Sequence, residues 1–320
     1  MPIFDMPLEE LQAYNPPLTR QPDFDAFWER TLAEAARAPL NAELVACDYP
    51  VLGADVYEAF YDGWRGARIC GWYLVPHGPG PFPTIIQYHG YGGSKGEIVP
   101  LLTWVLQGYA VLAVDVRGQS GRSTDPAAYP EGHVKGYMTA GILDPESYYY
   151  RGVYVDCVRA IDFVCARPEC DATHIGLTGV SQGGALSLAV AGLDSRPLLT
   201  MPEVPYLCHF KRAVDMAAVM PYLEISDYIR LWPKREAQVW RTLSYFDNLN
   251  LAPRIRCATL VDVGLLDDCC PPSSIFAAFN RITAPKEIVP YPYHKHEQIG
   301  PFWEYKLRWA HHYLKGQATL

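Results

Sequence analysis

Short apolar runs, separated by segments of helical period or by glycine-rich turns, organise most of this chain. Five of them, at 83–88, 109–114, 174–178, 257–261 and 286–290, are five or six residues long and bounded by turn formers, as expected of strands buried on both faces. Helical periodicity lies between several of them, over 147–166, 182–191 and 272–282, and again at the end over 302–314. Strand and helix in alternation predict an α/β fold with a mostly parallel central sheet and helices on both faces. Reactive groups in such a sheet gather at the carboxyl ends of its strands.

The first part of the chain reads differently. Asp23 stands where it can cap a helix running to about residue 37, with Phe24, Phe27, Trp28 and Leu32 on one face, so 1–40 is expected to form an amino-terminal helical arm. From 43 to 75 short β-rich runs at 56–61 and 67–75 alternate with Gly and Asp turns, which predicts an antiparallel start to the sheet. Two later segments break the alternation. Residues 118–145 are long and turn-rich, and 209–249 carry helical periodicity with Tyr222, Tyr228, Trp232, Trp240, Tyr245 and Phe246, as a helical insertion over the sheet would.

At 320 residues and 49% apolar side chains, a single domain with these insertions is the expectation for the whole of 1–320. Net charge is −8 and the 27 Lys and Arg residues form no run of five, so nucleic acid and anionic membrane are not expected partners. A neutral or weakly charged substrate fits better. The first ten residues carry Asp5, Glu9 and Glu10 and no basic region, unlike a secretory signal, and no apolar stretch reaches the roughly 20 residues of a membrane span. The nine cysteines show no C-x-x-C spacing and read as reduced core residues of a cytoplasmic protein, with the adjacent pair Cys269-Cys270 standing apart.

Chemistry concentrates at four places. Gly179-Val180-Ser181-Gln182-Gly183 lies between a predicted strand and a predicted helix, the setting a nucleophile elbow needs. A bare G-x-S-x-G is also an ordinary tight turn, and the flanking elements are what favour the elbow. A serine hydroxyl requires a histidine base oriented by a carboxylate, in the chain order Ser, acid, His for this kind of sheet. Asp267 follows the strand near 257–263 and is the candidate acid, with Asp262 and Asp268 as competitors; His296 follows the next strand and is the candidate base. Alternation would put His294 beside His296, a spacing that could ligate a metal, but no further ligand cluster accompanies it, so neither metal nor cofactor is expected. The oxyanion hole would pair the N–H of Gln182 with that of Tyr91 in the loop Tyr88-His89-Gly90-Tyr91-Gly92-Gly93.

With these pieces placed, the chain resembles carbohydrate-esterase family 7, the acetyl xylan esterases and cephalosporin C deacetylases. Arg117-Gly118-Gln119, the Ser181 elbow and His296-Glu297 carry the likeness, together with Gly141-Ile142-Leu143-Asp144, Tyr148-Tyr149-Tyr150-Arg151, Pro271-Pro272-Ser273 and Phe276-Ala277-Ala278. The resemblance implies an α/β-hydrolase fold with Ser181 as nucleophile, Asp267 as acid, His296 as base, and Tyr91 and Gln182 as backbone oxyanion donors. It also implies intracellular removal of acetyl groups from short acetylated sugars and cephalosporins. Arg117 and Gln119 would be scaffold, and the acyl pocket would be shaped by Tyr91, Pro221 and Cys269. Residues 118–145 resemble the family's interface loop, so a homo-oligomer is expected, a hexamer built as a trimer of dimers. Alternatives are an acyltransferase, a short-chain esterase acting on another acetylated metabolite, and a non-catalytic binding module of the same fold. A prolyl-oligopeptidase-type peptidase would need a large extra domain.

Overall fold

The computed structural model describes residues 4–129 and 132–317. Among them nine strands form one sheet: β1 (Glu43–Ala46), β2 (Ala54–Asp62), β3 (Arg68–Pro76), β4 (Phe82–Tyr88), β5 (Ala110–Val114), β6 (Cys170–Val180), β7 (Leu199–Glu203), β8 (Ala258–Gly264) and β9 (Lys286–Tyr291). Their spatial order is β1-β2-β3-β5-β4-β6-β7-β8-β9. Pairings from β1 to β5 are antiparallel, and those from β5 through β4 and β6 to β9 are parallel. The antiparallel start and the parallel remainder both follow the hydrophobic pattern.

Period-two alternation assigns each strand's side chains to one of two cores. Ala110, Leu112 and Val114 of β5 join Ile86 and Tyr88 of β4 in a core shared with the helices Tyr149–Cys165, Gln182–Leu193 and Pro272–Arg281. Val111, Ala113 and Ile85 face the other way, against Leu101 and Trp104 and against Phe302, Ala310 and Leu314 of the helix Phe302–Lys315. Fully burying one such aliphatic side chain stabilises the fold by roughly 1.5–3 kcal/mol, which is why register is held on both faces.

The helix Phe24–Ala36 buries Phe24, Phe27 and Trp28, as its spacing predicts. Asp23 occupies the cap position, yet its side chain makes no capping hydrogen bond and accepts instead from the Tyr245 hydroxyl at 2.5 Å. That contact, with Trp28 Nε1 donating to the Tyr245 carbonyl at 2.9 Å, fastens the arm to the end of the 209–249 segment. This segment is helical, as expected, over Phe210–Met216, Leu223–Leu231, Glu236–Leu243 and Asn248–Leu251. β7 was not expected from the sequence. Of the long segment 118–145, Pro130 and Glu131 lie outside the described residues, while Met138, Ala140, Ile142 and Leu143 are buried in the chain's own core.

Candidate active site

Four parallel strands deliver the candidate residues at their carboxyl ends. β4 leads into the loop 89–93, β6 into Ser181, β8 into Asp267 and β9 into His296. Ser181 holds φ 57° and ψ −114°, a strained conformation for a residue with a side chain, at the start of the helix Gln182–Leu193. The turn is over-determined: Ser181 N donates to the Glu203 carbonyl at 2.9 Å, and its own carbonyl accepts from Ala185 N and Tyr206 N, each at 3.0 Å. Only glycine fits beside it. A Cβ on Gly183 would stand 2.0 Å from the Tyr88 carbonyl oxygen, and one on Gly179 would stand 2.4 Å from the same atom.

The hydroxyl of Ser181 lies 2.9 Å from His296 Nε2, and His296 Nδ1 lies 2.8 Å from Asp267 Oδ2. Asp267 is fully buried and its other oxygen accepts from the backbone N–H groups of Cys269 (2.9 Å) and Cys270 (2.7 Å). Burial alone would disfavour the imidazolium of His296, but hydrogen bonds with Asp267 and Cys269 outweigh it and carry the ring above the ordinary histidine range. A ring so supported favours its protonated form, the state a histidine base reaches once it has accepted a proton.

The competing residues go elsewhere. Asp262 is buried within β8, where one oxygen accepts from Val204 N at 2.7 Å. Asp268 is half-buried in the turn. His294 pairs with Glu297 at 3.0 Å, and because β9 ends at Tyr291 the strand alternation expected to set His294 beside His296 does not extend to them. Another grouping replaces it. The thiols of Cys269 and Cys270 lie within 4.8 Å of one another and of a ring nitrogen of His296, a potential ligand set that spacing rules did not link.

The N–H groups of Tyr91, in the loop after β4, and of Gln182, next to Ser181 in the chain, have no acceptor among the described residues. Their loops are tied together by Gln119. Its Oε1 accepts from Gly92 N at 2.8 Å, and its Nε2 donates to the Tyr149 hydroxyl and to Gln182 Oε1, each at 3.0 Å. His89 braces the same loop: Val116 N donates to its Nε2 at 2.9 Å, so Nδ1 carries the proton and donates to the Gly90 carbonyl at 2.7 Å. Beneath them Arg117 is buried and forked onto Asp156, with contacts of 2.5 and 2.7 Å, and also donates to the Trp64 carbonyl at 2.9 Å. Among the described residues it makes no hydrogen bond or ion pair with Ser181, Asp267 or His296.

Glu224 was missed altogether. This buried carboxylate accepts from the Tyr91 hydroxyl at 2.7 Å and from Met138 N at 2.9 Å, and the Tyr91 oxygen in turn accepts from Tyr137 N at 2.5 Å. Burial raises its pKa, while Tyr91 and Met138 oppose the shift. Gly136 makes room for it, because a Cβ there would stand 2.1 Å from Glu224 Oε1. Of the expected acyl-pocket residues, Cys269 donates its thiol toward the Met220 carbonyl at 3.4 Å, next to buried Pro221.

A model of the acetyl xylan esterase (AXE1) family matches residues 1–313. The chain belongs to the acetyl xylan esterase family. An acetyl xylan esterase from Paenibacillus sp. R4 is 48% identical with TM-score 0.94, over 97% of this chain and 100% of the other. Acetyl xylan esterase 1 from Thermoanaerobacterium sp. JW/SL YS485 is 37% identical with TM-score 0.93, over 96% of this chain and 98% of its own. Acetyl esterase Axe7A of Xylanibacter ruminicola is 32% identical over 291 residues, 88% of this chain, and this chain spans 64% of its length. An acylaminoacyl peptidase from Pyrococcus horikoshii, 18% identical with TM-score 0.60, shares the α/β-hydrolase fold alone. Among the described residues no helix is long and apolar enough to cross a membrane, and all nine cysteines are free.

Proposed function

We propose that this chain is a serine carboxylesterase that removes acetyl groups from small acetylated substrates through an acyl-enzyme. The observation that supports it most is the continuous relay Ser181, His296, Asp267, at 2.9 and 2.8 Å. His296 takes the proton from Ser181 as its oxygen attacks the acetyl carbonyl, and Asp267 stabilises the imidazolium that forms. The carbonyl oxygen becomes an oxyanion held by the N–H groups of Tyr91 and Gln182, each such donor being worth about 3 kcal/mol in the transition state. His296 then protonates the departing alcohol. Water, activated by the same ring, releases acetate from Ser181, and no step needs a cofactor or metal.

Acetylated xylo-oligosaccharides and the 3-acetoxymethyl group of cephalosporin C are the substrates the family suggests, acted on in the cytoplasm. Tyr91, Pro221 and Cys269 would close the acyl side to little more than a methyl group. Forcing extra methylenes into a packed wall costs about 1–3 kcal/mol, so butyryl esters should react about ten- to a hundredfold more slowly than acetyl esters. Assembly into a hexamer of three dimers through 118–145 would add a second filter, against polymeric xylan. The test is kcat/KM on acetate, butyrate and octanoate esters of 4-nitrophenol, and on acetylated xylobiose against intact polymer. Equal rates on acetate and octanoate would refute the acyl filter; equal release from polymer and xylobiose, or a monomer by light scattering, would refute the assembly.

A further inference from the structure

We propose that Cys269, Cys270 and His296 form a binding site for a thiophilic divalent cation, Zn²⁺ or Cd²⁺, whose occupancy switches the esterase off. The switching rests on the esterase reading above, whereas the binding does not.

The two sulfurs and a His296 ring nitrogen all lie within 4.8 Å of one another. Around a tetrahedral zinc, with bonds of about 2.3 Å to sulfur and 2.0 Å to nitrogen, ligand atoms stand roughly 3.4–3.8 Å apart, so side-chain shifts of about 1 Å close the site. Two thiolates and an imidazole are soft ligands that select Zn²⁺ or Cd²⁺ over Mg²⁺ or Ca²⁺. The surroundings are already arranged as such sites require. Asp267 holds His296 through Nδ1 and fixes the cysteine loop through both backbone N–H groups, which orients all three ligands before a cation arrives.

Charge and protons balance. Two protons pass to the buffer, one from the Cys270 thiol and one from the Cys269–His296 pair, whose mutual contact lowers the thiol and raises the ring; a neutral imidazole, two thiolates and one dication then add no net charge to the interior. Nothing is oxidised or reduced. Three protein ligands leave a fourth position for solvent, so the cation needs no further side chain.

Inhibition follows from the ring. Its Nδ1 is engaged by Asp267 at 2.8 Å and its Nε2 by Ser181 at 2.9 Å, so a cation on either nitrogen displaces one of them. Taking Nε2 leaves Ser181 without a base, and taking Nδ1 leaves the ring without the carboxylate that orients it.

Ser181→Ala keeps all three ligands and forms no acyl-enzyme, so it reads binding without turnover. Titrated with Cd²⁺ in metal-free buffer, it should gain a thiolate-to-metal charge-transfer absorption that saturates at one cation per chain, with two protons released. Cys270→Ala and Cys270→Ser in that background should lose the band. In the wild-type enzyme, micromolar Cd²⁺ or Zn²⁺ should lower 4-nitrophenyl acetate hydrolysis about tenfold or more, EDTA should restore it, and Mg²⁺ or Ca²⁺ should have no effect. With Ser181 restored, each Cys270 variant, scored as the inhibited fraction of its own activity, should need about tenfold more cation. Absence of the band in Ser181→Ala, or inhibition indifferent to both Cys270 variants, overturns the proposal. A wild-type chain that binds Cd²⁺ and hydrolyses no acetyl ester leaves the cation site standing and counts against the esterase reading.

Discussion

Replacing Gln119 with leucine probes how the loops that carry the proposed oxyanion donors, Tyr91 and Gln182, are held without altering a proposed reacting group. The side chain is 8% exposed and its amide is committed on both ends: Gly92 N on the oxygen, the Tyr149 hydroxyl and Gln182 Oε1 on the nitrogen. Leucine preserves volume but leaves the Gly92 N–H without its acceptor and takes two partners from the Gln182 amide, which also donates to Gln119 Oε1 at 3.2 Å. Unsatisfied buried groups cost about 1–3 kcal/mol each, so a stability loss of about 2–4 kcal/mol is expected. Outright loss of an oxyanion donor costs about 2.7–4 kcal/mol. A donor that is displaced keeps part of its effect, so about 1.5–2 kcal/mol, or a ten- to thirtyfold fall in kcat, is the working figure. KM should barely change, because the charge these N–H groups meet develops only in the transition state. Steady-state hydrolysis of 4-nitrophenyl acetate, normalised to competent sites by titration with a phosphonate, measures both constants. Gln119→Glu, which still accepts from Gly92 but cannot donate, should fall between leucine and wild type. A folded Gln119→Leu enzyme with kcat within about twofold of wild type, or one that loses only KM, would refute the reasoning.

Ser181→Ala and His296→Ala should nearly abolish hydrolysis and Asp267→Asn should lower kcat about 10⁴-fold, while Asp268→Asn and His294→Ala stay close to wild type; a crippled Asp268→Asn with an active Asp267→Asn would move the acid by one residue. Lys306 and Glu203 form an ion pair of 2.6 Å with both side chains only 1% exposed, so Lys306→Met should cost about 3–5 kcal/mol in urea unfolding and the double change Lys306→Met, Glu203→Met should recover much of it; a single-variant loss below about 1 kcal/mol would contradict an unpaired buried charge. Burial raises Asp247 from 3.8 to about 6 against the opposing hydrogen bonds from Phe210, Leu249 and His209 N–H groups. Its protonated form is therefore favoured in the folded chain, and the stability it contributes below about pH 4 should be lost as pH rises to 6. The stability difference between wild type and Asp247→Asn should fall across that window and be flat above it, and a difference that grows with pH would reverse the sign.

The relay residues were legible because each stands at a strand end that the hydrophobic pattern itself marks. Ser181 sits between a strand and a helix, and Asp267 and His296 follow consecutive strands, so their meeting needed only the parallel order. What escaped did so for physical reasons. β7 contains Pro202 between Pro197 and Pro205, and proline argues against an interior strand, yet burial between β6 and β8 overrides that preference. Asp23 was placed correctly at its helix start, but a tertiary partner 222 residues away captured its carboxylate. Glu224 and Tyr91 are 133 residues apart, and no local pattern links a glutamate in an amphipathic helix to a glycine-rich loop. The grouping of Cys269 and Cys270 with His296 escaped likewise, since recognised ligand spacings skip adjacent cysteines.

The carboxylate of Glu224 has a consequence for how this chain can diverge. It grips the Tyr91 hydroxyl and the Met138 N–H at once, and Gly136 yields the space it occupies. The helical insertion, the turn-rich segment and the loop that presents Tyr91 are thus three parts of one lock, and none is an interchangeable cassette. A chimera that imported a foreign insertion without its own turn-rich segment would leave the buried Glu224 or the half-buried Tyr91 phenol without its counterpart. Exploration of new acyl or sugar preferences in this scaffold must proceed by concerted change in all three segments, or by substitutions that leave the lock closed.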